Sequence, residues 1–148
     1  MHKMLLFTVS ALVAATATGA QAKTTNLKWM AGPPGLPPGA TFAVVKGDPS
    51  KAGEFIIRAK LPANYAVPAH HHPTDEVVRV MDSGTLSYGM GDKLDKSNAG
   101  SLTKGNHVTM QAGMNHWVYT TDPVEIQVSG TGPFAITYVD PKDDPRNK

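Results

Sequence analysis

The chain has 148 residues, with 14 Lys and Arg against 12 Asp and Glu, a formal charge of +2, six His, seven Met and no Cys. That length suits one domain with a single core. The near-neutral balance and scattered lysines argue against nucleic acid as a partner. With no thiol, the sequence excludes disulfides, thiolate catalysis and cysteine-ligated zinc, so stability rests on core burial, helped by a metal or by self-association.

Residues 1–22 have the make-up of a secretory signal peptide: a basic start at His2-Lys3, an apolar stretch from Met4 to Ala15, and the small-residue site Ala20-Gln21-Ala22. The expected mature chain begins near Lys23, in the periplasm or outside the cell. No later apolar run approaches the roughly 20 residues of a membrane span, so no membrane partner is expected once the signal is removed. Residues 23–39 carry Pro33, Pro34, Pro37 and Pro38 and read as a Pro-rich extended arm.

A single β domain is expected over residues 40–140. Thr41 to Lys46 and Glu54 to Leu61 flank the turn cluster Gly47-Asp48-Pro49-Ser50. Asn64 to Pro68 leads into His70-His71-His72, and Val77 to Met81 is a β-branched run closed by Asp82-Ser83-Gly84. Thr85 to Met90 is the next strand. Asp92 to Lys104 reads as a long loop with a helical turn at Asp92 to Asp95. His107 to Gln111, His116 to Thr121, Val124 to Val128 and Phe134 to Val139 complete the series. No window keeps apolar positions at helical spacing, whereas strand-length runs recur about every ten residues. The expected class is all-β, a sandwich or barrel. Residues 141–148 are charged, Pro-interrupted and read as a loose tail.

Apart from His2, the histidines fall in two windows, 70–72 and 107–116. His70 and His72 are two apart, so on a strand both imidazoles project from one face while His71 points away. Glu76 follows past the Pro73-Thr74 turn, and His116 opens a later strand behind Ala112-Gly113. Three imidazoles and one carboxylate on two neighbouring strands would hold a divalent first-row transition metal, Fe, Mn, Ni or Zn, and leave positions open to water, oxygen or substrate.

These residues resemble the two motifs of the cupin superfamily, G-x5-H-x-H-x3,4-E-x6-G and G-x5-P-x-G-x2-H-x3-N. The first maps onto Asn64, His70, His72, Glu76 and Gly84, with Asn64 at the leading Gly, a substitution that the left-handed region tolerates. Seven residues rather than six separate Glu76 from Gly84, which suggests a bulge near Asp82 or a one-residue insertion. The second motif maps onto Gly105, Gln111, Gly113, His116 and Thr120, with Gln111 in place of Pro and Thr120 in place of Asn. The resemblance implies a small jelly-roll barrel, or double-stranded β-helix, with His70, His72, Glu76 and His116 as metal ligands. Gly89-Met90-Gly91-Asp92-Lys93 and Gly132-Pro133-Phe134, with Ile136 to Val139, look like a group of exported bacterial single-domain cupins.

That family implies a wide range of chemistry on small oxygen-bearing molecules, including dioxygenase-type cleavage of enols and diketones, isomerisation and lyase reactions. Glu76 is then also the candidate base. The competing reading is a non-catalytic module that binds or senses a small ligand around a structural metal. His71 and His107 read as surface side chains. Met81, Met90, Met110 and Met114 read as core filler rather than a copper site. Trp117 and Tyr119 are expected to face away from the metal, into the second sheet or a homodimer contact. Gln127 and Tyr138 are candidates for the pocket mouth.

Overall fold

Alternating apolar residues in short strands must bury one face each, and two such faces suffice to make a core. The computed structural model describes residues 26–148, so the expected signal peptide lies outside the described residues. Eleven strands follow in order: β1 (Met30–Ala31), β2 (Thr41–Lys46), β3 (Gly53–Leu61), β4 (Ala66–His71), β5 (Glu76–Val80), β6 (Leu86–Met90), β7 (Gly100–Leu102), β8 (His107–Met110), β9 (His116–Tyr119), β10 (Val124–Gly132) and β11 (Thr137–Tyr138). They form a six-stranded sheet, β1-β2-β3-β10-β5-β8, and a five-stranded sheet, β11-β4-β9-β6-β7, with every pairing antiparallel.

Period-two burial fills the space between the sheets. Phe55, Ile57, Ala59 and Leu61 of β3 point inward beside Val124, Ile126 and Val128 of β10. Val67, Leu86 and Leu102 answer from the five-stranded sheet. On β5 the buried positions are Glu76, Val78 and Val80, so the alternation that buries two valines also carries a carboxylate into the core.

The Pro-rich arm is part of the architecture. Met30 and Ala31 pair with Phe42 and Thr41, Lys60 Nζ lies 4.1 Å from the Trp29 ring centroid, and a Pro33–Leu36 turn sends Leu36 against the core. Tyr138 donates its hydroxyl to Gly35 O at 2.9 Å and Tyr65 donates to Pro37 O at 2.7 Å, fastening the arm on both sides of Leu36. The packed core therefore begins before residue 40.

Two other segments differ from their sequence reading. The loop over residues 92–104 contains β7, and its helical turn is Lys96–Asn98 rather than Asp92 to Asp95, because Asp95 acts as the N-cap, accepting from Ser97 N. Residues 141–148 form two 3-10 turns, Pro141–Asp143 and Pro145–Asn147, each capped by the Asp before its Pro. Arg146 then donates to Ile136 O at 3.1 Å and pairs with Asp144, which ties the tail to the barrel.

Candidate metal centre

The first motif begins at a sharp turn. Asn64 has φ 57°, the left-handed conformation in which Asn substitutes for Gly. Thr120 accepts from Tyr65 N at 3.0 Å and donates to Pro62 O at 2.6 Å, so the end of β9 is bolted to the start of β4. The extra residue before Gly84 lies in a turn, since β5 and β10 pair without a register break. There Asp82 accepts from both Gly84 N and Glu125 N. A Cβ on Gly84 would stand 2.6 Å from Pro123 O, so the close approach of that turn to β10 demands Gly.

A β-bulge sets the histidines. β4 and β9 pair Val67 with Val118 and then His70 with His116, so β4 holds one extra residue between those pairs, at Pro68-Ala69. Strict alternation from Val67 would have turned Ala69 and His71 inward. The bulge reverses the parity and puts His70 on the inner face, directly opposite His116. Pro68 suits this position because it has no N–H to give to a ladder. His72 lies just past β4, where its carbonyl accepts from Gly113 N at 2.9 Å; Gly113 reaches it with φ +71°.

The three imidazoles face one another across the interior, with ring centroids 4.3 to 5.2 Å apart, and each offers a ligand atom within 4.8 Å of the others. Each Nδ1 meets a backbone carbonyl: His70 to Pro68 O at 2.6 Å, His72 to Ala135 O at 2.7 Å and His116 to Met114 O at 2.9 Å. A carbonyl only accepts, so each Nδ1 carries the proton and each Nε2 presents a lone pair. Such an outer hydrogen bond fixes tautomer and ring orientation in metal-binding histidines.

Glu76 Oε2 lies 3.5 Å from His72 Nε2, which brings a carboxylate beside the histidine triad. It comes from β5 of the six-stranded sheet, whereas His70 and His116 lie on the five-stranded sheet. The expectation of two neighbouring strands is therefore corrected: the four side chains converge across the interior from both sheets. Hard and borderline donors of this kind, three neutral nitrogens and one oxygen, fit a divalent first-row ion.

All four side chains are buried. Burial, reinforced by His116, pulls His70 down to about 2 from its usual 6.5. Burial also lowers His72 and His116, against the hydrogen bonds to Ala135 and Met114 that would raise them. The imidazoles thus stay neutral, the state in which they ligate metals. Burial raises Glu76 to about 7, against the opposing pull of His116.

These shifts make metal-free stability depend on pH. Glu76, with a raised pKa, contributes stability that is complete below about 4.5 and lost as pH rises through about 7. The histidines, with depressed pKa values, contribute stability that is complete above about 6.5 and lost as pH falls. Three imidazoles outweigh one carboxyl, so acidification below about 6.5 should destabilise the wild type. Glu76→Gln removes the buried charge: without metal the variant should unfold at higher urea than wild type at pH 8, with the gap closing by pH 4.5. Equal urea midpoints at pH 8 would contradict this account of Glu76.

The other sequence candidates fall elsewhere. His71 points outward and contacts Asn115 Oδ1 at 3.0 Å through Nδ1, and His107 is exposed beside Arg79. Met110 is buried in the chamber wall as expected, but Met90 and Met114 are exposed and fill no core. Gln127 shares the outward parity of Glu125 on β10, opposite Arg58 and Arg79, and so leaves the pocket. Tyr138 does flank the site, its ring 5.9 Å from that of His70, but its hydroxyl is committed to Gly35 O. Trp117 faces away from the histidines, as alternation predicts; it lies flat over Gly89 and stacks on Tyr119 at a centroid distance of 6.2 Å. Phe134, not singled out by sequence, lies 5.1 Å from the His72 ring. Its place in the Gly-Pro-Phe segment was the only signal.

No family model matches the sequence, and no curated protein matches it. Solved structures do match by shape. The chain is similar to the polyketide cyclase RemF from Streptomyces resistomycificus, with 17% identity and a TM-score of 0.66 over 82% of this chain and 85% of that one. It is similar to the DMSP lyase DddQ from Ruegeria pomeroyi, with 20% identity and a TM-score of 0.59 over 76% of this chain and 60% of that one. It also resembles an RmlC-like cupin from Shewanella frigidimarina, with 11% identity and a TM-score of 0.55 over 80% of this chain and 90% of that one. With two antiparallel sheets closed on an inner cluster of histidines, and these neighbours in shape, the chain has the cupin fold.

Proposed function

We propose that this protein is an exported, metal-dependent enzyme acting on a small oxygen-bearing molecule, with His70, His72, Glu76 and His116 as ligands of a divalent first-row ion. The observation that carries the reading is the convergence of three Nε2 lone pairs, each imidazole held by its Nδ1 on a backbone carbonyl. An ion there would supply Lewis acidity toward a bound oxygen. The chain's own part is to orient the donors, to keep water out with the surrounding Val78, Met110, Val118 and Phe134, and to accept or hold a proton at the Glu76 carboxylate. Dioxygenase-type chemistry on an enol or diketone fits this arrangement. Export is supported by the composition of residues 1–22.

A non-catalytic reading draws on one specific observation. The chamber beside the four donors is small, about 70 Å³, with mostly apolar walls, and among the described residues the one other ionisable side chain that lines it is Tyr65, whose hydroxyl is committed to Pro37 O. Purification from the periplasm, with an N-terminus at Lys23, followed by loading with Fe(II), Mn(II), Ni(II) or Zn(II), separates the two. Turnover or oxygen uptake with a panel of enols, diketones and flavonols, lost in His72→Ala, is the expected result. Full metal loading with no turnover across the panel would favour the binding module.

A further inference from the structure

A second cavity, about 320 Å³, lies at the β1–β2 edge of the six-stranded sheet and shares four wall residues with the metal chamber: Leu36, Phe42, Ile57 and Phe134. Among them Phe134 also sits against the His72 ring, and Leu36 is held in place by the two tyrosine hydroxyls on the carbonyls beside it. The two spaces thus meet at shared side chains. Among the described residues, no ionisable one lines the outer cavity. Its one hydroxyl, Ser50, already donates to Asp48 Oδ1 at 2.6 Å. At the rim, Met30 is 51% and Val44 43% exposed, large apolar side chains left beside an apolar hollow.

We infer that this outer cavity seats the uncharged hydrocarbon or aromatic body of the ligand whose oxygen-bearing head lies at the histidine cluster, with Leu36 and Phe134 as the partition that selects for body size. The inference rests on the reading of the cluster as a metal centre. The inner chamber alone holds little beyond a small head group, whereas the outer space takes an alkyl chain of several carbons or a ring. A charged body would lose its hydration there with no partner in return. An apolar body gains from each methylene it buries.

The test uses alkyl hydroxamates, whose two oxygens chelate a metal, from acetohydroxamate to octanohydroxamate, titrated into Co(II)-loaded protein and read by visible absorption. Affinity should rise about fourfold per added methylene. The gain should flatten in Leu36→Phe, which narrows the partition, and in Val44→Asp, a rim substitution at an exposed position. The neutral dye N-phenyl-1-naphthylamine, added to metal-free protein, reads the outer cavity alone: its fluorescence should rise with wild type and not with Val44→Asp. Failure of Co(II) uptake with dye binding intact would sink the metal reading and leave the apolar seat standing. Co(II) uptake with tail-independent affinity and no dye binding would overturn the inference. A dimer that Val44→Asp dissociates in sedimentation would also overturn it, by showing a second copy of the chain in the cavity.

Discussion

Replacing His116 by Ala should abolish metal retention. The imidazole faces His70 directly across the β4–β9 pair and is almost fully buried, so no other side chain or bulk water takes its place. Loss of a hydrogen bond behind a metal ligand already lowers affinity by about 10- to 100-fold, and loss of the ligand itself should exceed that. Wild-type protein reconstituted with any one first-row ion should hold about one equivalent after desalting, and the variant less than about a fifth of that. The same loss should appear in stability. An ion present at about 100 times its dissociation constant stabilises the folded state by about 2.7 kcal/mol, so metal should raise the melting temperature of wild type and leave His116→Ala unmoved. His71→Ala and His107→Ala are the controls, since both side chains point away from the cluster. Equal metal content in His116→Ala and wild type, by elemental analysis, would refute the assignment.

The largest loss of stability should come from the opposite face of the same strand. Trp117 is 1% exposed and lies over Gly89, where a Cβ would stand 2.0 Å from its ring. Trp117→Ala empties that space and should cost about 3–5 kcal/mol. Gly89→Ala drives a methyl group into the ring and should cost about 1–3 kcal/mol, the usual range for overpacking. Trp117 Nε1 has no hydrogen-bond partner among the described residues, so Trp117→Phe gives up none there and should cost much less than the alanine variant. Urea unfolding followed by far-ultraviolet circular dichroism measures all three. A Gly89→Ala midpoint equal to that of wild type would mean that the ring is not held against the β6 backbone. Because Trp117 adjoins His116, metal content measured alongside would show whether damage to the outer face reaches the inner one.

Period-two patterning made the strands legible. Thr41 to Lys46 is β2 residue for residue, and most other strands start or stop within two residues of their apolar runs. Local chemistry was legible too: Asn64 adopts the left-handed conformation that its place in the motif requires. The arm and the tail were legible only as segments, one extended and one charged. Their Pro-rich composition describes local stiffness, whereas their order comes from remote partners, Tyr65, Tyr138, Lys60 and the Ile136 carbonyl, which no local pattern reveals.

For the site, the residue types and their spacing determined which donors are available, because chemistry resides in the side chains and an i, i+2 pair on a strand shares a face. They did not determine that His70 faces inward. That depends on an extra residue at Pro68-Ala69, visible only once β4 is paired with β9. Nor did they determine that Glu76 meets the histidines from the other sheet, or that an apolar cavity shares its wall with them. Covalent order fixes what lies close along the chain. Convergence of residues 70, 72 and 116 on one point with residue 76 beside them, and with Leu36 and Phe134 as a common wall, follows only when two sheets close on each other and each buries its apolar face.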